Sequence, residues 1–126
     1  MVLGQPESVE VETRLLGERV RVPAHFDAEV FAVVRKFLRS GRIEEQGARA
    51  ATFYLRRLRA DRIALTPLLG EVLVLRDRFG PYDAFYAVVA RLSEATLLTC
   101  DLRLARAAEG YCKVEYIASD SAHFVI

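Results

Sequence analysis

A chain of 126 residues, 52% of them hydrophobic, has the length of one domain and enough apolar surface to build a core. Eighteen Lys and Arg against seventeen Asp and Glu leave a net charge of +1, which excludes the strongly basic balance of a bulk nucleic-acid binder and leaves a local phosphate site open. Cys100 and Cys112 are too few for a disulfide framework and lack metal-site spacing; no apolar run reaches the ~20 residues of a membrane span, and Met1 to Gly17 lacks the basic start and apolar centre of a signal peptide. The expectation is one cytoplasmic domain over residues 1–126 with both thiols reduced.

In chain order, Pro6 to Gly17 reads as a helix, with Pro6 suited to the first turn, Glu7 and Glu10 near the positive end of the dipole and Gly17 as the stop. Arg19 to Pro23 alternates polar and apolar and reads as a strand. Phe26, Val30, Val33, Val34, Phe37 and Leu38 recur at helical spacing up to Ser40-Gly41, and Ala48, Ala51, Leu55 and Leu58 mark a further helix over Glu44 to Leu58. Arg62 to Thr66 is a strand candidate, Pro67 opens a helix over Leu68 to Phe79, and Gly80-Pro81 breaks it. Tyr82 to Leu92 is a helix, Ala95 to Cys100 a buried strand, Asp101 to Ala108 a short helix and Lys113 to Ile117 a last alternating strand. The tail from Ser119 carries no clear signal, although Phe124-Val125-Ile126 is apolar enough to dock.

Strands separated by one or two helices point to an α/β domain with a mostly parallel sheet, whose ligands sit beyond the carboxyl ends of the strands. Three acids fall there: Glu29 in the first turns after the first strand, Asp83 at a helix start and Asp101 just after the strand Ala95 to Cys100. Each has a plain structural alternative. Asp101 can cap the helix that follows, with Thr99 assisting; Asp83 can favour the dipole; Glu29 can be a solvated surface residue. Three acids at one end of a parallel sheet are harder to assign to caps alone. Clustered carboxylates are tolerated mainly when a cation neutralises them, and oxygen ligands select a hard ion such as Mg²⁺ or Mn²⁺ over zinc. His25 and His123 find no triad partner and read as surface or capping residues. No Ser-His-Asp set, Gly-rich phosphate loop or paired-Cys zinc pattern occurs.

The segments Tyr82-Asp83-Ala84-Phe85-Tyr86 and Leu97-Leu98-Thr99-Cys100-Asp101-Leu102-Arg103-Leu104, with Val22-Pro23 leading to Glu29-Val30, resemble PIN-domain toxins of the VapC type over nearly the whole chain. The resemblance implies a PIN-like three-layer α/β sandwich and a Mg²⁺-dependent (or Mn²⁺-dependent) endoribonuclease of a type II toxin–antitoxin pair. It also implies RNA as substrate, a cognate antitoxin as partner and a homodimer. Glu29, Asp83 and Asp101 match three of the family's four acids, as catalytic residues and metal ligands; Thr99 matches a hydroxyl residue that could contact phosphate or water.

The departure is at the amino terminus. The family's first, central strand ends in an aspartate, and Met1-Val2-Leu3-Gly4 begins inside the helix that should follow it. Loss of a mid-sheet strand removes two ladders of hydrogen bonds, each bond contributing about 1 kcal/mol net, and several such bonds with the strand's apolar burial rival a total stability of roughly 5–15 kcal/mol. The expectation is a natural start upstream of Met1 and weak or absent nuclease activity for this chain. The alternative is a degenerate PIN domain that only binds the antitoxin, through a surface drawn from Phe37, Leu38, Phe53, Tyr54 and Leu58. A response-regulator-like domain fits less well, because Lys113 lies at the wrong end of its strand.

Overall fold

The computed structural model describes residues 15–118 and 123–125, the last three by their backbone. The helix expected over Pro6 to Gly17 lies almost wholly outside them. Gly17 takes a φ of 75°, a left-handed turn that suits glycine and marks the stop.

Strand β1 (Val20–Pro23) alternates as its sequence does, with Val20 and Val22 buried on either side of half-buried Arg21. Helix α1 (Phe26–Arg39) follows after two residues and buries Phe26, Val34 and Phe37. Gly41, at φ 77°, turns the chain into α2 (Glu45–Arg57), whose Ala48, Ala51 and Leu55 face inward. Val34, Ala48 and Ala51, with Val30 and Ile43 against them, form a small core between these two helices. The expected boundaries of both helices hold to within a residue.

Two boundaries differ. The second strand, expected at Arg62 to Thr66, is β2 (Ala60–Ile63), set by parallel pairing with β1 from Val20 opposite Ala60 to Pro23 opposite Ile63. Asp61 and Arg62 are exposed on this edge strand, so its sequence lacks the apolar alternation that would have located it. The helix expected over Leu68 to Phe79 is a 3₁₀ turn at Thr66–Leu68 followed by a short α3 (Leu69–Val74). Beyond Val74 the backbone bonds become mixed: the Leu75 N–H is shared between the Glu71 and Val72 carbonyls, and Arg78 reaches away to the Ala107 and Glu109 carbonyls at 2.7 and 2.6 Å.

Helix α4 (Asp83–Leu92) is the centre of the core, with every residue from Ala84 to Ala90 buried. It leads into β3 (Thr96–Thr99), then α5 (Leu102–Ala108) and β4 (Lys113–Tyr116), which pairs parallel to β3. The tail that gave no sequence signal forms β5 (His123–Val125) and runs antiparallel between β1 and β3. The sheet order is therefore β2-β1-β5-β3-β4. The mid-sheet position that the resemblance left without a strand is filled, among the described residues, by the tail.

This order places the site. From β1 the chain crosses outward to β2, and from β3 it crosses the other way to β4. Right-handed crossovers put the two sets of connecting helices on opposite faces, giving three layers. The reversal between β1 and β3 opens a crevice at the carboxyl ends of the parallel strands. The first turns of α1 and α4 and the start of α5 all lie there.

Candidate functional site

Glu29 lies one turn into α1 and meets α4 across that edge. The Tyr86 hydroxyl donates to Glu29 Oε1 at 2.6 Å, and His25 Nε2 lies 3.3 Å from the same oxygen. Tyr86 is fully buried, whereas the Glu29 side chain remains 36% exposed. The glutamate therefore stands at a wet boundary with one oxygen held from the protein side.

Asp83 opens α4, one turn before Tyr86. Burial, the bond to Glu29 and the charges of Glu29, Asp83 and Asp27 together push the Tyr86 phenol far above its ordinary range, so it stays a hydrogen-bond donor. Two of the three expected acids thus bear on one phenol.

Asp101 leaves β3 at its carboxyl end and caps α5. Its Oδ1 accepts from the Arg103 and Leu104 N–H groups at 2.9 and 3.4 Å, and its own N–H donates to Thr99 Oγ1 at 3.0 Å. The capping alternative is realised, and both bonds land on one oxygen. Thr99 is fully buried, and its hydroxyl supports the Asp101 backbone.

Among the described residues, no three His, Cys, Asp or Glu side chains stand close enough to hold a metal ion between them. The donors fit a hard cation in kind, because all are carboxylate oxygens, and Mg²⁺ is commonly held by one or two carboxylates with water completing its shell. They fit a hydrated ion rather than a protein cage.

His25 departs from its expected role. It occupies the N-cap position of α1 without making a side-chain cap bond, and its ring packs against Tyr82, Phe85 and Tyr86 at centroid distances of 6.0, 5.3 and 5.2 Å. Tyr86 closes the Tyr82-to-Tyr86 segment that carries the resemblance, which by itself assigns it no role. Both were within reach of the sequence: His25 is four residues before Glu29 and Tyr86 three after Asp83, spacings that share a helix face.

The surface proposed for a partner is also revised. Leu38, Phe53 and Tyr54 are exposed, but Phe37 is buried and Leu58 packs against the main core. A shallow apolar groove between α1 and α2 is lined instead by Phe31, Val34, Leu38 and Ala48, together with Arg35, Thr52 and the Arg49–Glu45 pair. No helix among the described residues is long and apolar enough to cross a membrane.

An α/β domain with a topological switch point and acids at the carboxyl edge of its sheet is a class with many members. The family model for the PIN domain matches residues 1–110, and the chain belongs to the PIN-domain family. Among curated proteins it is 37% identical over 97 residues to Ribonuclease VapC3 of Mycobacterium tuberculosis, covering 77% of this chain and 71% of that protein. Ribonuclease VapC12 of the same species is 30% identical over 118 residues, covering 94% and 92%, and Ribonuclease VapC1 is 35% identical over 116 residues, covering 90% and 87%. No solved structure matches the chain significantly.

Proposed function

We propose that this protein is the toxin of a type II toxin–antitoxin pair, a cytoplasmic endoribonuclease that hydrolyses RNA with Mg²⁺ or Mn²⁺. The observation that supports the reading most directly is the approach of Glu29 and Asp83 to Tyr86 at the carboxyl edge of the sheet, with Asp101 at the end of β3. Relatives named as ribonucleases supply the reaction class.

Glu29, Asp83 and Asp101 would hold the cation. When bound, it supplies charge neutralisation at a phosphoryl oxygen and a water acidic enough to attack. The protein's part is placement. The Glu29 carboxylate, fixed through Oε1, would orient the incoming water for in-line attack on phosphorus; the water gives up its proton to solvent, and the leaving ribose oxygen takes one from solvent as its bond to phosphorus breaks. Asp83 enters from α4, and the Thr99 hydroxyl holds the Asp101 backbone in register, leaving Asp101 Oδ2 for the site. Displacement of such groups by an ångström costs about two orders of magnitude in rate.

The absence of a three-acid cluster among the described residues favours a second reading, a PIN domain of weak activity whose main role is to bind its antitoxin. The groove between α1 and α2, apolar with Arg35 and the Arg49–Glu45 pair in its lining, suits an amphipathic segment of that partner. Leu69, Leu73 and Val74, exposed together on α3, suit a homodimer contact. Incubation of the full chain with RNA in Mg²⁺ or in chelator separates the readings. Cleavage that needs the ion and disappears in Asp83→Asn supports the nuclease. Antitoxin capture without cleavage by the wild type supports the binder.

A further inference from the structure

Glu29 Oε1 is approached from two sides, and each approach carries a mark that packing does not account for. From α4 comes a phenol that is wholly buried and still directs its hydroxyl to a partly exposed carboxylate at 2.6 Å. From the α1 side comes the His25 ring, 12% exposed, with Nδ1 buried and without a partner. Both atoms facing Nε2, the Tyr82 carbonyl oxygen at 3.2 Å and Glu29 Oε1 at 3.3 Å, are acceptors, so Nε2 carries a hydrogen. A phenylalanine would fill the same aromatic cage without stranding Nδ1. The imidazole is therefore accounted for by its Nε2 contacts.

We propose that Tyr86 and His25 are positioning residues for Glu29: by holding Oε1 from two sides, they commit Oε2 to a divalent cation. The inference rests on the metal-dependent reading above. A carboxylate on a flexible stem samples several rotamers, and fixing one of its oxygens selects those that present the other. Asp83, one turn before Tyr86, places a second acid beside the same phenol. The two donors thereby couple the first turn of α1 to the first turn of α4.

The test uses Mn²⁺ as probe on the full chain, its affinity read by electron paramagnetic resonance, in wild type, Tyr86→Phe, Glu29→Gln and the double variant. Tyr86→Phe is expected to weaken Mn²⁺ binding about tenfold, in line with the loss of an outer-shell partner. In the Glu29→Gln background it should have no further effect, because the group it positions is gone. A purely structural Tyr86 would weaken binding equally in both backgrounds, and that result overturns the inference, as does Tyr86→Phe binding like wild type. Should Tyr86→Phe fail to fold, His25→Ala and His25→Gln decide. Ala should weaken Mn²⁺ severalfold, and Gln, which keeps a donor near Nε2, should restore most of it; no loss in either overturns the inference. Failure of the wild type to bind Mn²⁺ at all removes the metal-dependent reading itself, a result distinct from the others.

Discussion

Asp27 and Glu29 stand two residues apart in the first turn of α1, carry the same charge and face the same end of the sheet, yet they are used in opposite ways. Both Asp27 oxygens are engaged by one arginine: Arg62 Nε donates to Oδ2 at 3.0 Å and Nη2 to Oδ1 at 2.9 Å. The same guanidinium donates to the Leu55, Leu58 and Ala60 carbonyls, which ties the end of α2 and the start of β2 to α1. Its hydrogen bond to Asp27 raises the Arg62 pKa against the opposing effect of burial. Glu29, among the described residues, has no arginine. It has one neutral phenol and one imidazole on a single oxygen. A carboxylate saturated by a cationic fork is a fastener, whereas one held by weaker donors keeps charge and a lone-pair face for a ligand.

The sharpest way to break this comparison is to neutralise each acid in turn. Glu29→Gln keeps an oxygen for Tyr86 and removes the charge, so RNA cleavage should fall by two orders of magnitude or more, about 2.7 kcal/mol in barrier, with thermal stability nearly unchanged. Asp27→Asn should leave cleavage within a few-fold of wild type and lower stability instead. Equal losses of cleavage in both variants would erase the distinction between the two acids.

Next in size is Arg62→Ala, which removes a bidentate pair and three carbonyl bonds. The pair is partly solvated, with 32% and 42% of the two side chains exposed, and its Coulomb contribution is screened accordingly. The expected loss is about 1 kcal/mol, because water can replace the guanidinium at the exposed Leu58 and Ala60 carbonyls and only the Leu55 bond is partly buried, and it is measurable by chemical denaturation. Arg62→Lys keeps the charge and loses the fork, so it should recover less than half of the stability. Full recovery would mean that charge alone fastens α1 to β2.

Much of this was legible in the sequence, and the remainder follows a physical pattern. The helices α1, α2 and α4 show a continuous apolar stripe or a fully apolar run, and their limits were evident within a residue or two. β2 was misplaced because an edge strand carrying Asp61 and Arg62 takes its position from its ladder with β1 rather than from its own pattern. β5 showed only as an apolar end able to dock, because three residues cannot establish a period and its pairing with β1 and β3 is set by partners about 100 and 25 positions away in the chain. At the site, the positions of Glu29, Asp83 and Asp101 relative to the strand ends could be read from element order. What could not be read was how each carboxylate is engaged: an arginine thirty-five positions away captures Asp27, and a tyrosine fifty-seven positions away holds Glu29.

The last comparison concerns alkali, and it separates a phenol that serves the site from one that serves the fold. Burial is the main reason that both Tyr86 and Tyr111 resist ionisation, and each also donates to a glutamate, Tyr86 to Glu29 and Tyr111 to Glu71. Tyr111 is held up to about 12, against 10.0 for an unperturbed tyrosine. Below pH 10 both states keep their protons and stability is unaffected. Between pH 10 and about 12 the unfolded chain releases protons that folded Tyr86 and Tyr111 retain, so the unfolded state binds fewer protons and stability falls as pH rises. Phe in place of either tyrosine should flatten that decline in urea titrations across pH 9 to 11.5. Only Tyr86→Phe should at the same time alter the response of the protein to divalent ions at neutral pH, because Tyr111 meets Phe79 edge to face and lies under Arg91, among groups that hold the fold together. A stability that stays level through this alkaline range would show that neither phenol is kept protonated by its surroundings, and would remove the basis for treating Tyr86 as a permanent donor to Glu29.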